Sequence, residues 1–147
     1  MRILRKALTQ IGVTEIVGKE HNQNIVDYFH YIGHKWVAND ETAWCSAFVN
    51  WAAKKCNLEH TGKLNARSWL DVGKPVAVPR LGDIVVFWRD SPSSWKGHVG
   101  IFIAFSGHGK KYIHVLGGNQ SNKVCVAKYD SSKVLGFRRL KRINTSR

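Results

Sequence analysis

Three side chains far apart in this sequence could do chemistry together: Cys45, His98 and Asn119. Cys45 lies in Ala43-Trp44-Cys45-Ser46-Ala47-Phe48-Val49-Asn50-Trp51-Ala52-Ala53, a helix-length run in which only Ser46 and Asn50 are polar. The preceding Asn39-Asp40-Glu41-Thr42 supplies capping residue types and first-turn acids, which predicts a helix starting near Thr42 and running to about Lys55. Cys45 would then sit in the first turn. Unpaired backbone N–H groups and the positive end of the helix dipole stabilise a thiolate there, lowering the cysteine pKa from its usual value of about 8.5. A thiolate so placed is a nucleophile for a carbonyl carbon.

His98 begins an alternating segment, Gly97-His98-Val99-Gly100-Ile101-Phe102-Ile103. Gly100 falls on the same strand face as His98, and its missing side chain leaves room for the first turn of the Cys45 helix to approach. His98 could then take the thiol proton and return it to a leaving amine. Asn119, in Leu116-Gly117-Gly118-Asn119-Gln120-Ser121, offers an amide oxygen that can hold the far ring nitrogen of that histidine and fix its tautomer. Taken singly, each has a plainer reading: a buried core thiol, a histidine at a strand end, and a turn.

The elements that must position these groups change type halfway along the chain. Ile3, Leu4, Ala7, Leu8 and Ile11 predict an amphipathic helix ended by Gly12. Ile25, Tyr28, Phe29 and Ile32 predict a second, capped by Asn22 or Asn24 and stopped by Gly33. In the Cys45 run, Trp44, Ala47, Phe48, Trp51 and Ala52 form a stripe suited to packing on a sheet. A further helical turn or two is expected from Ala66 to Val72, after which Pro75 and Pro79 should forbid regular structure. Beyond Gly82 the segments 83–88, 98–105, 111–116, 124–129 and 134–140 read as strands, rich in Val, Ile and aromatics between polar turns. Helices first and strands afterwards predict an α+β domain, N-terminal helices packed on an antiparallel sheet of about five strands.

The 147 residues suit one domain, 1–147. No apolar run approaches the length of a membrane span, and the N-terminus lacks the features of a secretory signal, so synthesis and retention in the cytoplasm are expected. Three cysteines without a C-x-x-C pair argue against a disulfide framework. On one helix Cys56 would lie about 16 Å from Cys45, so Cys56 and Cys125 are expected to be structural thiols. Lys and Arg outnumber Asp and Glu by 23 to 10. Five basic residues and no acid fall between Arg138 and Arg147, which predicts a basic tail from about 138 and attraction to an anionic envelope surface. The aromatics fall at core spacing, which argues against specific single-stranded nucleic-acid binding.

With these blocks in order, the chain resembles the papain-like cysteine hydrolases of the CHAP and NlpC type. The resemblance rests on Ala43 to Trp51, Pro79-Arg80-Leu81-Gly82-Asp83-Ile84-Val85-Val86-Phe87, Gly97-His98-Val99-Gly100-Ile101 and Leu116 to Ser121. Glu15-Ile16-Val17-Gly18 and Ala66-Arg67-Ser68-Trp69-Leu70 extend it to nearly the whole chain. It is closest to the small single-domain endolysins of bacteriophages and related peptidoglycan hydrolases. The resemblance implies a papain-like fold, with Cys45 as nucleophile, His98 as base and acid, and Asn119 as the orienting residue. Many relatives carry an acid two positions before the matching asparagine, where this chain has Gly117.

The implied reaction is hydrolysis of a peptidoglycan amide, either the lactyl–L-alanine bond or one within the stem peptide, in lysis of a host cell after release through a pore. No metal or other cofactor is expected, and the protein is expected to act as a monomer. The Cys45 N–H would hold the oxyanion, with Gln23, Asn24 and Tyr28 as candidates for a second donor. Asp40, Glu41 and Trp95 are candidate substrate-binding residues, the acids for a free amino group of the stem peptide. Two rival readings stay open: a zinc amidase using His98, His114 and Cys125, and a non-catalytic basic module that binds envelope or nucleic acid.

Overall fold

The apolar stripes of the N-terminal half and the alternating segments of the C-terminal half fold into two layers. The structure, a computed structural model, describes residues 2–16, 21–36 and 43–143. Helix α1 spans Arg2–Leu8, α2 Gln23–Tyr31 and α3 Cys45–Lys55, and a 3-10 segment spans Ala66–Asp71. The strands are β1 (Lys74–Val76), β2 (Ile84–Trp88), β3 (Gly97–Ser106), β4 (Tyr112–Gln120), β5 (Lys123–Asp130) and β6 (Val134–Arg139). They form one antiparallel sheet in the order β1-β6-β2-β3-β4-β5. This is the expected α+β arrangement, with one strand more than the five expected.

The extra strand is β1, in the segment where Pro75 was expected to prevent regular structure. It lies at the sheet edge and pairs only with β6, so the N–H that proline lacks costs no ladder bond on its open side. The second helix begins as expected, with the Asn22 side chain accepting a bond from the Asn24 N–H. α3 begins later than expected. Trp44 is its flanking residue and Cys45 its first helical one. The capping segment Asn39 to Thr42 lies outside the described residues.

α3 is the central helix because nearly every residue on it is buried; only Trp51, Lys54 and Lys55 reach solvent. Its approach to the sheet is set by Gly118 on β4. A Cβ there would stand 2.6 Å from the Trp44 ring and 2.8 Å from the Phe48 Cβ, so only glycine admits the helix this closely. Gly100 has a different neighbour from the one expected. Its missing Cβ makes room for the Val115 side chain and the backbone of β4, not for α3.

Buried polar residues tie the connections to the helix. Asn50, fully buried, accepts from the N–H groups of Thr61 and Gly62 and donates to the Lys63 carbonyl. Ser46 donates to the same carbonyl and accepts from the Trp69 indole. These bonds fix residues 61–69, and thus one wall of the cleft described next. At the far end of the chain, Arg138 and Arg139 belong to β6 instead of a tail. Arg138 donates to the Leu70 carbonyl, and Arg139 grips Asp83 with two nitrogens at 3.0 and 2.7 Å. No helix among the described residues is long and apolar enough to cross a membrane.

Candidate active site

Cys45 is the first residue of α3, where helix N–H groups lack partners within the helix. Burial alone would push its thiol up. The hydrogen bond and charge of His98 outweigh that, helped by the backbone N–H groups of Val99 and Ser46, and hold Cys45 below the ordinary thiol range. His98 stands near the start of β3 and is also buried. Burial alone would lower the imidazole, but the hydrogen bond and charge of Cys45, then the bond to Gln120, raise it above its ordinary value. Opposite shifts in touching groups favour a thiolate–imidazolium pair.

The side chain on the far ring nitrogen is Gln120, at the place where Asn119 was expected. The Oε1 of Gln120 lies 2.9 Å from His98 Nε2. The glutamine cannot present its nitrogen instead, because its Nε2 donates to the carbonyls of Val115, at 3.2 Å, and Cys125, at 2.7 Å. His98 Nε2 must therefore be the donor to Oε1, which leaves Nδ1 for the sulfur. The Tyr129 hydroxyl also lies 3.1 Å from Nε2, and its ring stacks on the imidazole at 5.1 Å between centroids. Phe87 stacks on Tyr129 in turn, at 4.9 Å, so the imidazole plane is fixed from the sheet side.

The exchange of neighbours follows from the backbone. Asn119 has a positive φ of 58°, and the β4–β5 register slips between Gly117 and Gln120. Strand alternation therefore breaks there, and the side chain one residue later turns toward His98. Space for it comes from Gly117, where a side chain would be too close; one at Gly100 would only touch it. A Cβ on Gly117 would sit 2.6 Å from Gln120 Oε1 and 3.5 Å from His98 Nε2, and one on Gly100 would sit 3.7 Å from that oxygen. Gly117, the position where many relatives carry an acid, is thus empty so that a glutamine three residues on can supply an oxygen.

Cys45 and His98 lie where two lobes of a surface cleft meet. One lobe, about 260 Å³, is lined by Cys45, Asn65, Ala66, Trp95, His98 and Asn119 among others. The other, about 470 Å³, runs past His98 over Trp88, Asn122, Tyr129 and Lys133. Asn119 and Arg89 line both. Asn119 is therefore in the cleft, and among the described residues its carboxamide has no hydrogen-bond partner, His98 included. Trp95 is in the cleft wall and largely exposed. The loop that carries it is held by Arg67, which donates to the carbonyls of Ser91, Pro92 and Lys96. Asp40 and Glu41 lie outside the described residues.

The other expected donors are elsewhere. Tyr28 donates to Gln10, Gln23 donates to Asp27, and Asn24 and Tyr28 line a separate groove with Trp51. The groups of the zinc alternative are not gathered. His114 is paired opposite Ala104, six residues or about 20 Å along β3 from His98, and bonds Ser106 at 2.7 Å. Among the described residues no three His, Cys, Asp or Glu side chains are grouped to hold a metal.

The family model described as the CHAP domain matches residues 36–119, more than half of the chain. A solved structure of a protein similar to a lipoprotein of the NLP/P60 family, from Staphylococcus aureus subsp. aureus Mu50, superposes with a TM-score of 0.51 at 16% identity. The match covers 94% of this chain and 40% of that one, so this chain spans well under half of that protein's length. Comparison with curated protein sequences finds no match. With the match running from ahead of the cysteine helix to Asn119, and a helix-on-sheet, papain-like architecture shared with the NLP/P60 protein, the chain belongs to the CHAP domain family.

Proposed function

We propose that this chain hydrolyses an amide bond in the peptide part of bacterial peptidoglycan, with Cys45 as nucleophile, His98 as acid and base, and Gln120 as the residue that positions the imidazole. The observation that carries this reading is the line Gln120 Oε1, His98 Nε2 and Nδ1, Cys45 Sγ at the junction of two cleft lobes. A carboxamide with both ends fixed can hold only one tautomer of the ring.

The steps follow from that geometry. The Cys45 thiolate attacks the carbonyl carbon, and an S–C bond forms as the C–O π pair moves onto oxygen. The Cys45 N–H, which has no partner within the helix because it stands at its start, is placed to hold that oxyanion. The C–N bond then breaks as His98 gives its Nδ1 proton to the leaving amine. Water, losing a proton to His98, displaces the thiolate and releases the acid. Asn119, which lines both lobes, is the side chain best placed to bond the substrate backbone across the scissile bond.

The reading extends to biology as a lytic enzyme of the phage endolysin kind, made in the cytoplasm and reaching the wall through a membrane pore. Purified protein should clear permeabilised Gram-negative cells and release soluble muropeptides from sacculi, whose masses identify the lactyl–L-alanine or stem-peptide bond as the one cut. Cys45→Ala, or prior treatment with iodoacetamide, should stop release. Undiminished release after either treatment would rule out the thiol mechanism.

A further inference from the structure

The charge of the cleft bears on which peptide it takes. Three cations line its lobes, Arg89, Lys96 and Lys133, and no Asp or Glu does so among the described residues. Two of the three are already engaged. Lys96 Nζ is 3.2 Å from Asp90, and Lys133 Nζ lies over the Trp88 ring, 5.3 Å from its centre. Among the described residues the Arg89 guanidinium has no hydrogen-bond or ion-pair partner, although it borders both lobes beside His98. Its charge disfavours the imidazolium form that protonates the leaving amine, although the contacts of Cys45 and Gln120 outweigh it. An anion delivered by the substrate would cancel that charge only while the substrate is bound.

We propose that Arg89 is a recognition site for a carboxylate of the substrate, so that the cleft selects acidic stem peptides, with a free carboxylate near the scissile bond, over their amidated forms. This rests on the peptidoglycan reading given above. The fork of a guanidinium matches a carboxylate with two parallel N–H bonds, and a carboxamide can accept only one and brings no charge. Placement between the lobes lets one residue read a carboxylate on either side of the cut bond.

The test uses synthetic stem tetrapeptides that carry a γ-linked D-glutamate, each carboxylate replaced in turn by a carboxamide. Binding is measured by calorimetry to Cys45→Ala protein, and turnover with the parent. One amidation should weaken binding about tenfold or more, and that difference should vanish in Cys45→Ala/Arg89→Gln while Arg89→Lys keeps part of it. Arg89 is exposed, so the variants should unfold at the parent's temperature. Equal binding of all the peptides, or a preference that survives Arg89→Gln, overturns the proposal. Parent protein that binds with this preference but cleaves none of the peptides upholds the carboxylate site and counts against the hydrolase reading instead.

Discussion

Replacing Gln120 by alanine tests the arrangement at its least expected point. The substitution removes the acceptor 2.9 Å from His98 Nε2 and leaves the ring free to turn or to adopt the other tautomer. A hydrogen bond to a charged group contributes about 1.5–3 kcal/mol, so kcat should fall by roughly ten- to 150-fold if the bond matters mainly for the imidazolium. Stability should fall as well. The carbonyls of Val115 and Cys125 lose their donor, and an unsatisfied buried polar group costs about 1–3 kcal/mol.

The pH profile separates these two effects. The Gln120 bond raises the His98 pKa, and the imidazolium form is lost as pH rises through that value, so Gln120→Ala should move the high-pH limb of kcat to lower pH. The assay is release of dye-labelled muropeptides from sacculi between about pH 5 and pH 10, at a temperature where calorimetry shows each variant folded. Asn119→Ala is the comparison. It should raise KM and leave the high-pH limb in place. An unchanged limb in Gln120→Ala together with a lowered one in Asn119→Ala would show that the orienting residue is Asn119 after all.

Three further outcomes follow from the same geometry. Because His98 and two backbone N–H groups hold Cys45 below the ordinary thiol range, its alkylation by iodoacetamide should stay fast at a lower pH than that of an ordinary thiol and slow as pH falls through the lowered pKa; in His98→Ala, where burial loses its main opponent, the onset should move to higher pH. Gly118→Ala would press a Cβ against Trp44 and Phe48, and overpacking of this kind costs about 1–3 kcal/mol, measurable as a lower midpoint in urea with little change in slope. Arg67→Met removes three bonds that hold the 89–97 loop against the cleft, so KM should rise severalfold while the alkylation rate of Cys45 stays at the parent value.

Cys45 and His98 were legible as candidates because their signals are local: a thiol at a helix start, and a histidine opening a strand. The helix stripes were legible for the same reason, since periodicity survives in any tertiary setting. What could not be read depends on the neighbouring strand. Pro75 sits in a strand because that strand is at an edge, and Gly100 makes room for β4 because of a pairing the sequence does not state. The asparagine and glutamine at 119 and 120 exchange places through one left-handed residue and a register slip, which a strict period of two cannot foresee.

If the site needs an oxygen at that point, and not residue 120 itself, the role should be transferable. A Cβ on Gly117 would point into the space of Gln120 Oε1 and lie 3.5 Å from His98 Nε2, within reach of a short acidic side chain. Gly117→Asp alone should therefore be harmful, since its Cβ would meet Gln120 Oε1 at 2.6 Å. Combined with Gln120→Ala, the clash is gone and a carboxylate faces the ring. The double variant should recover much of the kcat lost in Gln120→Ala, and its high-pH limb should lie above the parent's because a full negative charge favours the imidazolium more than a carboxamide does. A double variant no better than Gln120→Ala, in protein shown to be folded, would mean that the histidine depends on the fixed amide of residue 120 and not merely on an acceptor placed beside its ring.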